Sequence, residues 1–193
     1  LSRIAENIWR SGFILLVLFT WTDSLVAQPG IGEWRTHLPF KEARQVVEAG
    51  TRVYCGTRSG LYYFDREFNT VGILTKNEGL SDLEINALNY SPARESIVIG
   101  YANTNIDIIE GDEIYNIPDI KRKQITATKT INNILIVGDL AYLSCGFGIV
   151  VLNLDKKEIK DTYLIGENGG YPNVHDMAAD GSLLYAATEA GIF

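Results

Sequence analysis

The stretch QVVEAGTRVYCGTRSGLYYFD, Gln45–Asp65, reads as three short strands folded back on one another. Gln45 to Ala49 leads, Gly50-Thr51 turns, Arg52 to Thr57 returns, Arg58-Ser59-Gly60 turns again, and Leu61 to Asp65 runs forward. Val71 to Thr75 adds a fourth strand. Apolar runs of five or six residues bounded by Gly and polar turn residues are the mark of antiparallel hairpins rather than helices.

Working outward, the same plan recurs. Gly60, Asn105, Gly148 and Gly191 each open an apolar strand, at intervals of 45, 43 and 43 residues. Measured back from them, position minus six is Tyr54, Ile99, Tyr142 and Tyr185, and minus seven is Val53, Val98, Ala141 and Leu184. Small residues recur at minus five or minus four (Cys55 and Gly56, Gly100, Ser144, Ala186 and Ala187), where one sheet must approach the next closely. Position minus ten is Gly50, Gly138 and Gly181, at a hairpin that wants positive φ; Glu95 stands there in the second repeat. A period in the low forties, filled with strands, is the length of a four-stranded propeller blade. The expected fold is all-β: a β-propeller of four-stranded antiparallel blades, with about three and a half present. Blades are expected at about 41–76, 83–118, 131–165 and 174–193 within a partial propeller spanning 28–193. Either the chain is part of a larger propeller, the favoured reading, or Glu33 to Leu38 supplies the outer strand of the fourth repeat and closes a four-bladed ring.

Residues 1–27 read as a signal peptide: Arg3 and Arg10 precede an apolar run from Phe13 to Trp21, and Ala27 sits at the expected cleavage edge. The chain has 17 basic and 24 acidic residues, and removing that segment takes two of each, so the net charge stays −7. Nucleic acid is therefore excluded as an expected partner. Cys55 and Cys145 fall in the first and third repeats, too far apart for a disulfide, and are expected to be small core residues.

Chemistry-bearing motifs are sparse. There is no Gly-x-Ser-x-Gly elbow, no phosphate loop and no Cys/His spacing for a metal or cofactor. His37 and His175 read as structural or exposed residues, and Gly30-Ile31-Gly32 and Gly146-Phe147-Gly148 as turns. A propeller enzyme such as a lyase or glycosidase would need two acids on one face. Asp107 and Asp176 are the nearest candidates, but nothing pairs them. No enzyme is expected.

Binding through loops on one face is the alternative. Turns between second and third strands supply Arg58, Asn103, Asn105, Phe147 and Glu189, and links between blades supply Asn77, Asp82, Asn168, Tyr171 and Asn173. This mixture of amide, charged and aromatic groups suits sugar, although Asn also serves turns for backbone reasons. Lys121-Arg122-Lys123, the one basic run, is the candidate contact for phosphate or an anionic glycan.

Val174 to Phe193, with its Tyr185-Ala186-Ala187-Thr188 strand before Gly191-Ile192, resembles the two-component-regulator propeller repeat, as does Asn77-Glu78-Gly79-Leu80-Ser81-Asp82. Within that class, residues 32 to 193, from Trp34-Arg35-Thr36-His37-Leu38-Pro39-Phe40 through Asn103-Thr104-Asn105-Ile106-Asp107 to Leu143-Ser144-Cys145-Gly146-Phe147-Gly148, are similar to the N-terminal propeller of the PorZ family. The resemblance implies a surface component of the type IX secretion system of Gram-negative bacteria, in a family built from two seven-bladed propellers and a small C-terminal domain. It further implies partners, a sortase-like protease and an outer-membrane shuttle protein, and presentation of anionic lipopolysaccharide. The localisation implied is export to the cell surface or outer membrane. The second reading is a periplasmic ligand-sensing propeller of a hybrid two-component regulator, because similar repeats form such input domains.

Overall fold

A computed structural model describes residues 41–166 and 170–193. The signal-peptide segment, the Glu33–Leu38 strand, His37 and Asn168 all lie outside the described residues.

Fifteen strands follow one another in the described chain, all paired antiparallel with sequence neighbours. The first sheet holds β1 (Gln45–Ala49), β2 (Arg52–Thr57), β3 (Gly60–Asp65) and β4 (Thr70–Leu74). β5 (Ile85–Ser91), β6 (Ser96–Tyr101), β7 (Ile106–Glu110) and β8 (Glu113–Ile117) form the second. The third is β9 (Ile131–Val137), β10 (Leu140–Cys145), β11 (Gly148–Asn153) and β12 (Glu158–Tyr163). β13 (Val174–Asp180), β14 (Leu183–Thr188) and the two-residue β15 (Gly191–Ile192) make a three-stranded fourth sheet. Each sheet runs in simple up-and-down order, and β1, β5, β9 and β13 lie side by side, so the first strand of every sheet is innermost. This is a β-propeller array of blades.

The core is layered between blades. Tyr54 and Leu61 of blade 1 meet Ile85, Leu88, Ile99 and Tyr101 of blade 2. Val98, Ile106 and Ile108 on the other face of blade 2 meet Ile134, Leu143, Val150 and Leu152 of blade 3. Val174 and Met177 pack with Ile149, Leu135 and Tyr142 across the third interface. Every residue of β6 is buried, as expected where both faces of a sheet are covered. At the two ends of the array equivalent rows are exposed: Val46, Val71 and Ile73 on blade 1, Leu183, Tyr185 and Ile192 on blade 4.

Close approach has a defined site. A Cβ on Gly56 would stand 2.6 Å from Ile85 Cγ2, and one on Gly100 would stand 2.8 Å from Ile131 Cγ2. The same register position is Ser144 in blade 3. Gly50, Gly138 and Gly181 turn the first hairpins at φ 59°, 60° and 58°, and Glu95 adopts φ 48° in the second repeat, so a residue with a Cβ carries the same strained conformation there.

One register assignment needs correction. Tyr54, Ile99, Tyr142 and Tyr185 share a distance from their anchors, but cross-strand pairing makes Val98, not Ile99, equivalent to Tyr54 and Tyr142. The turn from Tyr101 to Asn105 holds one more residue than Thr57–Gly60, with Thr104 at φ 63° donating its N–H to the Tyr101 carbonyl at 2.9 Å. One residue of slip exchanges the two faces of a strand. Ile99 accordingly faces blade 1 and Val98 faces blade 3.

The inner strands are stitched by a repeated bulge. Pairing slips by one residue at Asn86, Asn132 and His175. Asn86 Nδ2 donates to the Ile131 carbonyl at 3.1 Å, and Asn132 Nδ2 makes the same bond one blade on, to the Val174 carbonyl at 2.7 Å. Asn89 Nδ2 reaches the Ile134 carbonyl at 2.6 Å. At the far end of the second and third blades Glu110 accepts Lys157 at 2.7 Å while Arg94 meets Asp155 at 2.9 Å. Cys55 and Cys145 are free thiols; burial pushes Cys145 up to about 12.

Packing at Gly56 yields a direct test. Gly56→Ala should lower stability by about 1–3 kcal/mol through overpacking. Ile85→Val alone should cost about 0.5–1.5 kcal/mol, and the double variant less than the sum. Urea denaturation reads all three; strict additivity would mean the two residues do not share the contact.

Candidate functional site

The link between blades 1 and 2 is shaped before it binds anything. Thr75 caps the 3-10 turn Lys76–Glu78: its hydroxyl accepts the Asn77 N–H at 3.2 Å, and Glu78 Oε2 takes the Thr75 N–H at 2.8 Å and its hydroxyl at 2.6 Å. That reciprocal capping satisfies donors a short turn would otherwise orphan. It also holds the Glu78 carboxyl below its ordinary range, the Thr75 hydroxyl being the main cause. Gly79, at φ 109°, then releases the chain toward Asp82.

Asp82 is where the face loops meet. Lys76 Nζ lies 3.1 Å from Oδ1, while Lys121 Nζ at 2.8 Å and Asn105 Nδ2 at 2.9 Å share Oδ2. Burial works to raise its pKa, but Lys121, Asn103, Asn105 and Lys76 together hold the carboxyl well below the usual carboxylate range. A link on one side of blade 2 is thereby tied to the link on the other. Asn105 Oδ1 in turn accepts Asn116 Nδ2 at 2.9 Å, and Asn116 donates at 2.9 Å to Asp107 Oδ1. Asp107 is fully buried, and its other oxygen takes the Tyr101 hydroxyl at 2.6 Å and the Ser81 N–H at 2.8 Å. Burial first, and then the Asp107 charge, raises the Tyr101 hydroxyl pKa.

A pocket of about 280 Å³ opens beside this network, lined by Lys76, Asp82, Leu83, Glu84, Tyr101, Ala102 and Asn103. Arg58 borders it through Glu84, Nε to Oε1 at 3.3 Å, and also reaches Glu42 at 3.4 Å. Asn77 is exposed on the capped turn. Asp82, Asn103 and Asn105 therefore form one cluster with Lys121, and Arg58 stands at its edge.

The other candidates separate. Asn173 Oδ1 accepts Asn132 Nδ2 at 2.8 Å, and its N–H donates to Glu189 Oε1 at 3.2 Å, while Tyr171 is exposed; these belong to blade 4. Phe147 is buried, not presented on a loop: with Arg122 and Lys123 it lines a second cavity of about 430 Å³ between blade 3 and the link 118–130. In that link the helical turn Asp119–Arg122 is capped by Lys129, whose ammonium donates to the carbonyls of Lys121 at 2.9 Å and Lys123 at 3.1 Å. Asp107 and Asp176 sit on different blades, and Asp176 is engaged by Asn133 and the Met177 N–H.

Sequence reading missed Lys76, Tyr101, Asn116 and Lys129 as parts of these networks. A signal existed for one part: Asp107 interrupts the apolar strand Ile106-Asp107-Ile108-Ile109, a carboxylate that must find donors inside the core. Among the described residues there is no group of three His, Cys, Asp or Glu fit to hold a metal ion, and no helix is long and apolar enough to cross a membrane.

Residues 53–193 match the family described as the type IX secretion PorZ N-terminal beta-propeller domain. Among solved structures, the chain is similar to PorZ of Porphyromonas gingivalis, described as an essential bacterial surface component of the type-IX secretion system. The identity is 32%, the TM-score 0.73, and the match covers 83% of this chain and 21% of that one. The extracellular domain of BT4673 from B. thetaiotaomicron, assigned to a hybrid two component system, matches at 17% identity and TM-score 0.63, over 86% of this chain and 21% of that one. That of BT3049 matches at 19% and 0.59, over 78% and 21%. Each likeness under 25% carries the fold alone. The chain spans about a fifth of the length of these solved structures. No curated protein matches it.

The Asp82 cluster makes stability acid-sensitive. Because its folded pKa is depressed, Asp82 contributes fully above the ordinary aspartate range, and the contribution fades as pH falls below about 4. Asp82→Ala should cost about 1–3 kcal/mol at pH 7, and the gap from the parent should shrink at pH 2–3. Chemical denaturation across pH measures it; a gap independent of pH would contradict the assigned role.

Proposed function

Because the chain belongs to the family of type IX secretion PorZ N-terminal β-propeller domains, we propose that it is a non-enzymatic, exported propeller module of the surface attachment machinery. In this reading it docks partner proteins, a sortase-like protease and an outer-membrane shuttle protein, and contacts anionic lipopolysaccharide. The observation that carries the reading is the family match across residues 53–193, joined by 32% identity to a surface component of that system.

The geometry supplies a surface consistent with docking. Asp82, Asn103, Asn105 and Lys121 come together from one turn and two links on the same face of blade 2, with Arg58 beside them. The side chains at its edge, Arg58 and Asn103, carry donors in an exposed or half-exposed setting, while Asp82 and Asp107 beneath them are saturated by internal bonds. A partner would read the edge and rely on the interior to hold it in place. The acidic total of −7 disfavours nonspecific adhesion to polyanions, so contact with an anionic glycan falls to local cations, Arg122 and Lys123 among them. The periplasmic-sensor reading rests on fold likeness at 17–19% identity and gains no independent support from these residues.

Affinity capture from detergent-solubilised outer membranes of a type IX-secreting bacterium tests this. The protein should retain the sortase-like protease or the shuttle protein, and Arg58→Glu with Asn103→Lys should reduce recovery at least tenfold without changing the circular dichroism spectrum. Equal recovery by parent and variant would remove this face from the proposal. Recovery of neither partner by the parent would remove the docking function itself.

A further inference from the structure

The larger cavity combines two chemistries. Its floor is Ile120, Phe147 and Val150, exposed by only 4%, 3% and 1%, and Ile125 and Ile159 flank it. Its rim carries Arg122, Lys123, Asp119 and Thr162. Among the described residues, the side chains of Arg122 and Lys123 have no hydrogen-bond or ion-pair partner, whereas their neighbour Lys121 is paired with Asp82 and Lys129 is engaged by the carbonyls of the helical turn. Two free cations beside an apolar floor are unlike an ordinary solvated basic run, in which no apolar recess lies beneath the charges.

Size and charge narrow the occupant. The volume of about 430 Å³ falls in the range of small-molecule sites, roughly 300–1,000 Å³. Two cations and the Asp119 carboxylate leave the rim with one net positive charge, which suits a monoanion better than a phosphate dianion. Guanidinium and ammonium groups both bind carboxylate, the former as a planar fork. We propose that this cavity is a binding site for a small apolar acid, one carboxylate at Arg122 and Lys123 with an aliphatic or aromatic body against Ile120, Phe147 and Val150. The site is separate from the Asp82 face and does not depend on the docking of partner proteins, although it shares Arg122 and Lys123 with the glycan contact proposed above.

Isothermal titration of the protein with decanoate tests it. The expected result is saturable one-to-one binding, weakened at least tenfold in decanol, which lacks the charge, and in acetate, which lacks the body. Arg122→Ala with Lys123→Ala should weaken decanoate binding at least tenfold. Thr162→Phe, filling the mouth from β12, should abolish it with the thermal midpoint unchanged; should that variant lose stability, the exposed double variant decides alone. Non-saturable binding, equal affinity for decanol, or indifference to the double variant would overturn the site. Tenfold tighter binding of decyl phosphate would overturn the carboxylate assignment.

Discussion

The packing of the described blades depends on one steric arrangement: a bulky side chain at the start of β5 and of β9 enters a notch in the second strand of the preceding blade. Ile85 enters at Gly56 and Ile131 at Gly100, leaving no room for a Cβ at either glycine. In the third blade the notch position is Ser144, and the inner-strand position is Val174, so the notch is partly filled where the incoming side chain is smaller. The Ser144 hydroxyl is buried without a partner, which marks it as filling volume where glycine served before. Sheets that meet on both faces need such notches, because flat sheets about 10 Å apart would leave the innermost strands of a radial array too far separated or too crowded.

Polar stitching follows from that approach rather than competing with it. Once the inner strands sit side by side, a bulge turns one residue of β5, β9 and β13 out of the pleat, and at Asn86 and Asn132 that residue reaches the next blade's backbone carbonyl. Asn is suited to this: its amide donates over a short, stiff side chain that loses little rotamer freedom. Each bond contributes about 0.5–1.5 kcal/mol net, small beside the burial of Ile85 or Ile131 (about 1.5–3 kcal/mol each), but it is directional and so fixes the register between blades.

The repeat was legible because its signals are backbone signals. Left-handed turns at Gly50, Gly138 and Gly181, short apolar strands, and small residues at the notch all report local conformation or close approach, which spacing reveals. The reading failed where a single inserted residue moved an anchor: Asn105 marks the start of β7 as Gly60 marks β3, yet the longer turn before it displaces every residue of β6 by one relative to that mark. Side-chain convergence was much less legible. Asp82 and Asn105 were recognisable as turn residues, but Lys76 and Lys121 join them from links whose paths spacing does not describe. Phe147 looked like a loop aromatic because glycines flank it; its burial depends on the fold of a different segment, the link 118–130, over the face of blade 3.

That link also explains why three consecutive basic residues have different fates. Asp119–Arg122 is one helical turn, and successive side chains on a helix diverge by about 100°. Lys121 therefore points across the link to Asp82, 2.8 Å away, while Arg122 and Lys123 border the cavity. Lys129 fixes this division by binding the carbonyls of Lys121 and Lys123, so the turn cannot rotate without breaking those bonds. Charge in the run is thus divided between cohesion and surface: one cation neutralises an internal carboxylate and two remain available. A basic tripeptide in sequence is uniform, but the turn that carries it is not, and only its last two residues present charge that a ligand could use.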